Sequence, residues 1–141
     1  MGRLRADTLE RLEPYADRVL DVADVIELQR RSRRIIDQLS GSGTSAGANV
    51  FEADEAMTAK DFAKSLGTVV KELNETRFWL RLIARREWVP PKRLEPLLEE
   101  TTSLKAMFGA MIVRTRRADA KMRANDNSWL LLCVVCCLSN A

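Results

Sequence analysis

Apolar residues recur at helical spacing along several stretches of the chain, and the clearest pattern lies between residues 58 and 86. Its small and apolar positions alternate in steps of four and three residues, the spacing that keeps one stripe of a helix against a partner. Those positions are Phe62, Leu66, Val69, Leu73, Thr76, Leu80 and Ile83. Thr58 and Asp61 resemble a capping box, and Pro90 and Pro91 stop the helix. The pattern predicts a long helix that forms one wall of a bundle.

The first stretch, residues 6–26, carries a similar stripe. Its members are Leu9, Leu12, Ala16, Val19, Ala23 and Ile26. Pro14 interrupts the stripe, and it either opens the helix in its first turn or kinks it. We therefore expect a helix that reaches about Val25 and has a defect near Glu13.

The second stretch contains the ambiguous segment 40–49, SGSGTSAGAN, whose glycines and hydroxyl residues are typical of a flexible loop. Small residues nevertheless continue a helical register through it. Gly43 and Gly47, four residues apart, would let a neighbouring helix approach closely. We favour a helix from about Gln29 to Met57, with a loop at 40–49 as the alternative. The segment is not a phosphate loop, because no Gly-Lys-Ser/Thr follows it.

The last stretch predicts a helix from about Pro91 to Ala124. Its stripe is Leu94, Leu97, Thr101, Leu104, Phe108, Met111, Thr115 and Ala118. The Asn-Asp-Asn run at 125–127 breaks the pattern. Taken together, the four stretches predict an all-α fold, an antiparallel up-and-down four-helix bundle over residues 1–125.

Residues 126–141 are expected to form a separate hydrophobic tail. The apolar run from Trp129 to Leu138 is too short to span a bilayer, which takes about 20 residues. Cys133, Cys136 and Cys137 include one CxxC spacing, which is weak support for zinc or redox chemistry without a second pair or a histidine. The tail could pack on the bundle, on another subunit or on a membrane surface.

The composition narrows the range of functions that the sequence supports. The 141 residues are 46% hydrophobic and 30% charged, with a net charge of +3, which suits a soluble helical protein. There is no histidine, so the commonest general base and metal ligand are both missing. The cysteines lie only in the tail, and no apolar leader precedes the first helix, which favours the cytoplasm. We therefore expect no enzyme activity, no cofactor and no metal.

Basic residues supply the candidate site. They cluster in three places, before the second helix, late in the third and late in the fourth. A solvated helix face is one interpretation and a phosphate-facing patch is the other. The end of the fourth helix is the best candidate, since it contains five basic residues and only one acidic residue, Asp119. The predicted nucleic-acid-binding residues are Arg30, Arg31, Arg34, Arg81, Arg85, Arg114, Arg116, Arg117, Lys121 and Arg123.

Three segments resemble a known family. They are 37–53 (DQLSGSGTSAGANVFEA), the pair Asp61-Phe62, and 71–82 (KELNETRFWLRL). In this order they resemble the four-helix bundle proteins encoded in intervening sequences of bacterial 23S ribosomal RNA genes, over roughly residues 6–118. Phe51 and Ala53 around Glu52 depart from that pattern, and the tail has no counterpart in it.

The resemblance implies a homopentamer. A related branch of the family serves as the accessory protein of diversity-generating retroelements, where a basic pentamer binds a reverse transcriptase and its RNA. It thus implies an oligomer that binds RNA, or a reverse transcriptase–RNA complex, through basic helix faces. The alternative is an oligomeric scaffold for protein–protein interaction with no nucleic-acid partner.

Overall fold

Helices make up almost all of the backbone in a computed structural model of the chain, which describes the backbone of residues 2–139 and the side chains of residues 2–124. No strand occurs in this part of the chain, so the all-α prediction is confirmed. The helices are α1 (Ala6–Glu10), α2 (Leu12–Leu28), α3 (Arg33–Asp54), α4 (Ala59–Arg85) and α5 (Pro91–Ser139). The four long ones pack around one hydrophobic core, with α3 against both α2 and α4, and α4 against α5.

The predicted defect in the first stretch lies at Arg11, between α1 and α2. Pro14 occupies the first turn of α2, where backbone N–H groups have no partner within the helix, so the proline costs no hydrogen bond. α2 then continues to Leu28, three residues beyond the predicted end.

The glycine-rich segment is helical throughout, so the loop alternative for residues 40–49 is wrong. Its hydroxyl groups donate to carbonyls of their own helix: Ser40 Oγ to Ile36 O and Thr44 Oγ1 to Ser40 O, both at 2.8 Å. These side chains are thereby satisfied without unwinding the backbone. The helix propensity of glycine and serine is low, but the face of α3 that carries the small residues is buried against neighbouring helices. This burial stabilises the helix, because tertiary packing dominates helix stability in proteins.

The two glycines of α3 have different environments. A Cβ built on Gly43 would lie 2.5 Å from Val19 Cγ1 on α2, so its missing side chain is what allows the two helices to approach. A Cβ on Gly47 would meet no atom within 4 Å. The predicted close approach is therefore confirmed at Gly43 and wrong at Gly47.

Helix α4 matches its prediction to within one residue at each end. Thr58 Oγ1 accepts from the N–H of Asp61 at 3.0 Å, which satisfies one of the unpaired donors of the first turn. All seven members of its predicted stripe are buried.

One hydroxyl from each long helix enters a buried polar layer within the bundle. The hydroxyls of Tyr15 and Thr101 are 3.0 Å apart, and Thr76 Oγ1 donates to Ser42 Oγ at 2.9 Å. Burial raises the pKa of Tyr15 above its ordinary value, so the phenol stays protonated and able to donate at neutral pH. Ser42, Thr76 and Thr101 also contact carbonyls of their own helices, but the Tyr15 hydroxyl is paired only with Thr101. Because a shift of α2 against α5 would leave this buried hydroxyl unpaired, the layer favours one register of these two helices.

Helix α5 does not stop where the sequence predicts. The backbone remains helical through 125–127 and on to Ser139, so the predicted break is wrong. Asn and Asp are weak helix formers, costing up to about 0.7 kcal/mol each, but no proline there removes a hydrogen bond and no glycine adds its larger entropic cost. The side chains of the Trp129–Leu138 run and its cysteines lie outside the described residues, and the division at 125/126 stays a prediction.

The core ends before α5 does. Among the described side chains of this helix, Phe108 is the last that is fully buried. Met111 and Ile112 still pack against the core while half-buried, and the described side chains from Val113 to Ala124 are half-buried or exposed. Ala118, a predicted stripe member, is exposed. At about 1.5 Å per residue, the helix runs some 24 Å past Phe108 to reach Ala124.

Two of the turns are closed by residues in the left-handed conformation. Arg30 (φ 54°) follows α2 and Glu87 (φ 55°) follows α4. After α4, the N–H of Glu87 donates to Ala84 O and that of Trp88 to Ile83 O, the hydrogen-bond pattern that ends many helices on a glycine. A side chain at this position carries a steric cost that glycine avoids.

Replacing Glu87 with Gly is therefore expected to raise the free energy of unfolding by about 0.5–1 kcal/mol, after allowing for the greater freedom of glycine in the unfolded chain. The midpoint of urea unfolding measures the change. Glu87→Ala is the matched control, because it removes the same carboxylate but keeps a Cβ. Equal stability of the two variants would contradict a steric cost at this turn.

Candidate nucleic-acid interface

The turn between α2 and α3 meets the turn between α4 and α5 at one end of the bundle. Gln29 Nε2 donates to Trp88 O at 2.8 Å across the two turns. The guanidinium groups of Arg31 and Arg86 lie 5.2 and 5.7 Å from the centre of the Trp88 ring. Both distances suit a cation–π contact, so Trp88 holds two cations at this end.

This meeting brings Arg30, Arg31 and Arg34 to the end of the bundle where Arg85 completes α4, and Arg81 lies one helical turn earlier. These five predicted residues are called the turn-end cluster below. None of them forms an ion pair with a described side chain. Arg33, within the same arginine run, instead pairs with Glu27 and with Asp37.

The predicted residues on α5 lie far from the turn-end cluster. The helix starts at that end with Pro91, and Arg114 is 23 residues further on, or about 35 Å along the axis. The ten predicted residues therefore form two separate basic regions rather than one patch.

The α5 region is itself divided around the helix. Arg114, Arg117 and Lys121 follow one another in steps of three and four and share one side. Arg116 and Arg123 are seven apart and occupy another side. Arg123 Nη2 also lies 3.0 Å from Asp119 Oδ2, so part of its charge is neutralised. The part of α5 with the densest positive charge is the part that has left the core.

Sequence reasoning missed a basic stripe along the outward face of α4. Positions 60, 64, 67, 71, 74, 78, 81 and 85 repeat in the same four-and-three steps as the buried ones, and all of them except the half-buried Gly67 are exposed. The signal is present in the sequence, but of this stripe only Arg81 and Arg85 are among the predicted site residues. The side chains are Lys60, Lys64, Lys71, Phe78, Arg81 and Arg85, called the outward stripe below.

The remaining ionic contacts are structural. Arg11 Nη2 lies 2.7 Å from Glu100 Oε1 and ties α2 to α5. Over the residues with described side chains, no group of three acidic or thiol side chains is placed to hold a metal ion. A search of the same region for a bilayer-spanning helix finds none of sufficient length and apolar character.

Four long helices around one core, with exposed cations at one end and on a projecting helix, define a basic helical-bundle protein. The sequence model of the family described as "23S rRNA-intervening sequence protein" matches residues 11–110. The chain therefore belongs to that family, as its sequence resemblance predicts. The match ends at residue 110, close to Met111 and Ile112, the last described residues of α5 that pack against the core.

A solved structure supports the same fold. It is a protein of unknown function from the S23 ribosomal protein family of Bacteroides thetaiotaomicron, 28% identical to this chain with a TM-score of 0.71. The alignment covers 74% of this chain and 97% of the other. A search of curated proteins found no match.

Proposed function

We propose that the protein is a non-enzymatic RNA-binding adaptor that works as an oligomer in the cytoplasm. The observation that carries the proposal is the set of exposed basic side chains in the turn-end cluster, which no described acid neutralises. Exposed, unpaired arginines release bound counterions when they contact phosphates, and this release is the main source of affinity for RNA. The absence of histidine from the sequence supports a non-enzymatic role.

We further propose an antiparallel, up-and-down arrangement of the four long helices. The connections at 29–32, 55–58 and 86–90 are short, which favours antiparallel neighbours. The Arg11–Glu100 pair and the Tyr15–Thr101 hydrogen bond join α2 to α5 across the bundle.

Assembly as a homopentamer and action on a reverse transcriptase–RNA complex are the finer parts of the proposal, and they rest on family resemblance. A pentamer would present five copies of each basic region, and such repetition converts weak contacts into useful affinity. Light scattering should give about 80 kDa, five times the 16.0 kDa of one chain. A mass of one chain at micromolar concentration would contradict the oligomer.

Changing Arg114, Arg116 and Arg117 together to Ala is expected to weaken binding of a structured RNA by about tenfold or more, because up to three phosphate contacts are lost. Fluorescence anisotropy at fixed salt measures the affinity. The control is Arg33→Ala, which removes an arginine already paired with two acids and should leave binding unchanged.

Unchanged binding in the triple variant would show that this part of α5 does not contact the RNA. If the unmodified protein binds no RNA but recovers proteins from nuclease-treated extract, the scaffold alternative would replace the adaptor.

A further inference from the structure

The outward stripe runs the length of α4, a helix of 27 residues. From Lys60 to Arg85 it spans about 38 Å at 1.5 Å per residue. The acidic residues of α4 are Asp61, Glu72 and Glu75, and none of them falls on the stripe. Five cations and one aromatic ring thus follow a single line on the surface.

Net positive charge is greater in the later half of the stripe, taken from Lys71 to Arg85, which carries three of its five cations. Near its start, Lys64 shares a shallow depression with Glu52 and Glu55, which reduce the local positive potential. Further along, Asn74 Oδ1 accepts from Lys105 Nζ of α5 at 3.2 Å, which brings another cation beside the helix. The segment from Lys71 to Arg85 is therefore the stronger site for a polyanion.

Phe78 lies in the middle of this stronger half and is 57% exposed. It lines a shallow depression whose other residues, all on α4, are Asn74, Arg77, Arg81, Leu82 and Arg85. Its ring meets Trp79 edge to face, with centroids 4.8 Å apart and planes at 72°. Trp79 is held in turn by donating Nε1 to Glu75 Oε1 at 3.3 Å. The phenyl ring is therefore supported by its neighbour while remaining open to solvent.

An exposed aromatic ring flanked by arginines suits one class of ligand. Arginines contact phosphates, and the ring offers a face on which an unpaired base can stack. Bases within a duplex are already stacked on each other and cannot reach such a ring. We propose that the outward stripe binds single-stranded RNA, with the phosphates along Lys71, Arg81 and Arg85 and one base stacked on Phe78. This site rests on the proposed RNA-binding function and adds its ligand class and stacking residue.

The test compares an unstructured RNA of about ten nucleotides with a fully paired duplex, by fluorescence anisotropy on the full chain. Phe78→Ala is expected to weaken single-strand binding by about fivefold to a hundredfold, the range for losing one base–aromatic stack, and duplex binding by less than about twofold. Phe78→Trp should keep the single-strand binding of the unmodified protein, because it retains an aromatic ring. Phe51→Ala is the matched control, since Phe51 is 43% exposed but lies beside Glu52 on α3.

A charge variant completes the test. Arg81→Ala should weaken binding of both RNAs, and Lys64→Ala should weaken it less, because Lys64 lies beside acidic residues. Single-strand binding that is unchanged in both Phe78→Ala and Arg81→Ala would overturn this site while leaving the adaptor proposal standing. No binding of either RNA by the unmodified protein would overturn the adaptor itself. A loss of oligomer mass in Phe78→Ala with RNA binding intact would make the stripe a protein contact instead.

Discussion

Replacing Phe108 with Ala is expected to lower the free energy of unfolding by about 3–5 kcal/mol. Phe108 is the last fully buried residue among the described side chains of α5. Removing its ring deletes a large apolar contact and leaves a cavity that surrounding side chains fill only in part. Urea unfolding followed by circular dichroism measures the loss.

The control lies on the same helix beyond the core. Met122 is 62% exposed, so Met122→Ala should change stability by no more than about 0.5 kcal/mol. A small effect of Phe108→Ala would contradict the burial of Phe108 in the core, and an equal effect of both variants would contradict the exposure of α5 at Met122.

Replacing Gly43 with Ala is expected to destabilise the protein by about 1–3 kcal/mol, even though alanine is the better helix former. The new methyl group would lie 2.5 Å from Val19 Cγ1 and 2.9 Å from its Cβ. The β-branched Val19 side chain cannot turn its own Cβ away, so α2 and α3 must separate.

Gly41→Ala and Gly47→Ala are the matched controls within the same helix. Neither new methyl group meets an atom within 4 Å, so both should gain about 0.5–1 kcal/mol from helix propensity. Thermal unfolding distinguishes the opposite signs. A stabilising Gly43→Ala would show that α2 and α3 are further apart than described.

Where the buried pattern is regular, the sequence is sufficient to predict the fold. The four-and-three steps of α4 are read directly from the chain, and its cap at Thr58 lies within one residue of the prediction. Helix α3 is harder to predict from the sequence, because its glycine and serine residues locally favour a loop. In the sequence, its buried face is indicated only by small residues that continue the helical register. The sequence therefore also allows a loop at residues 40–49.

Tertiary relations are less accessible from sequence. Nothing local places Trp88 against Arg31, or separates Arg114 from Arg85 by the length of the bundle. The end of the core contacts of α5 after Ile112 is equally hidden, because the stripe predicted on α5 continues past it to Ala118. The ten predicted residues are all exposed, but the sequence does not show that they lie in two separate regions, and their binding role stays a prediction.

Unlike these tertiary relations, the outward stripe is present in the sequence as a regular pattern. Its spacing is as regular as that of the core, yet a polar repeat is normally read as solvated surface. Only the packing of the other face of α4 identifies it as a continuous exposed line.

The most direct test of the RNA-binding account is the salt dependence of affinity for an unstructured RNA. The three cations placed along the RNA, Lys71, Arg81 and Arg85, predict a straight line of log association constant against log salt, with a slope of about −2. Fluorescence anisotropy at several potassium chloride concentrations gives this slope, and it should become less steep by about 0.7 for each of Lys71, Arg81 and Arg85 changed to Ala. An affinity that does not change with salt would contradict the account.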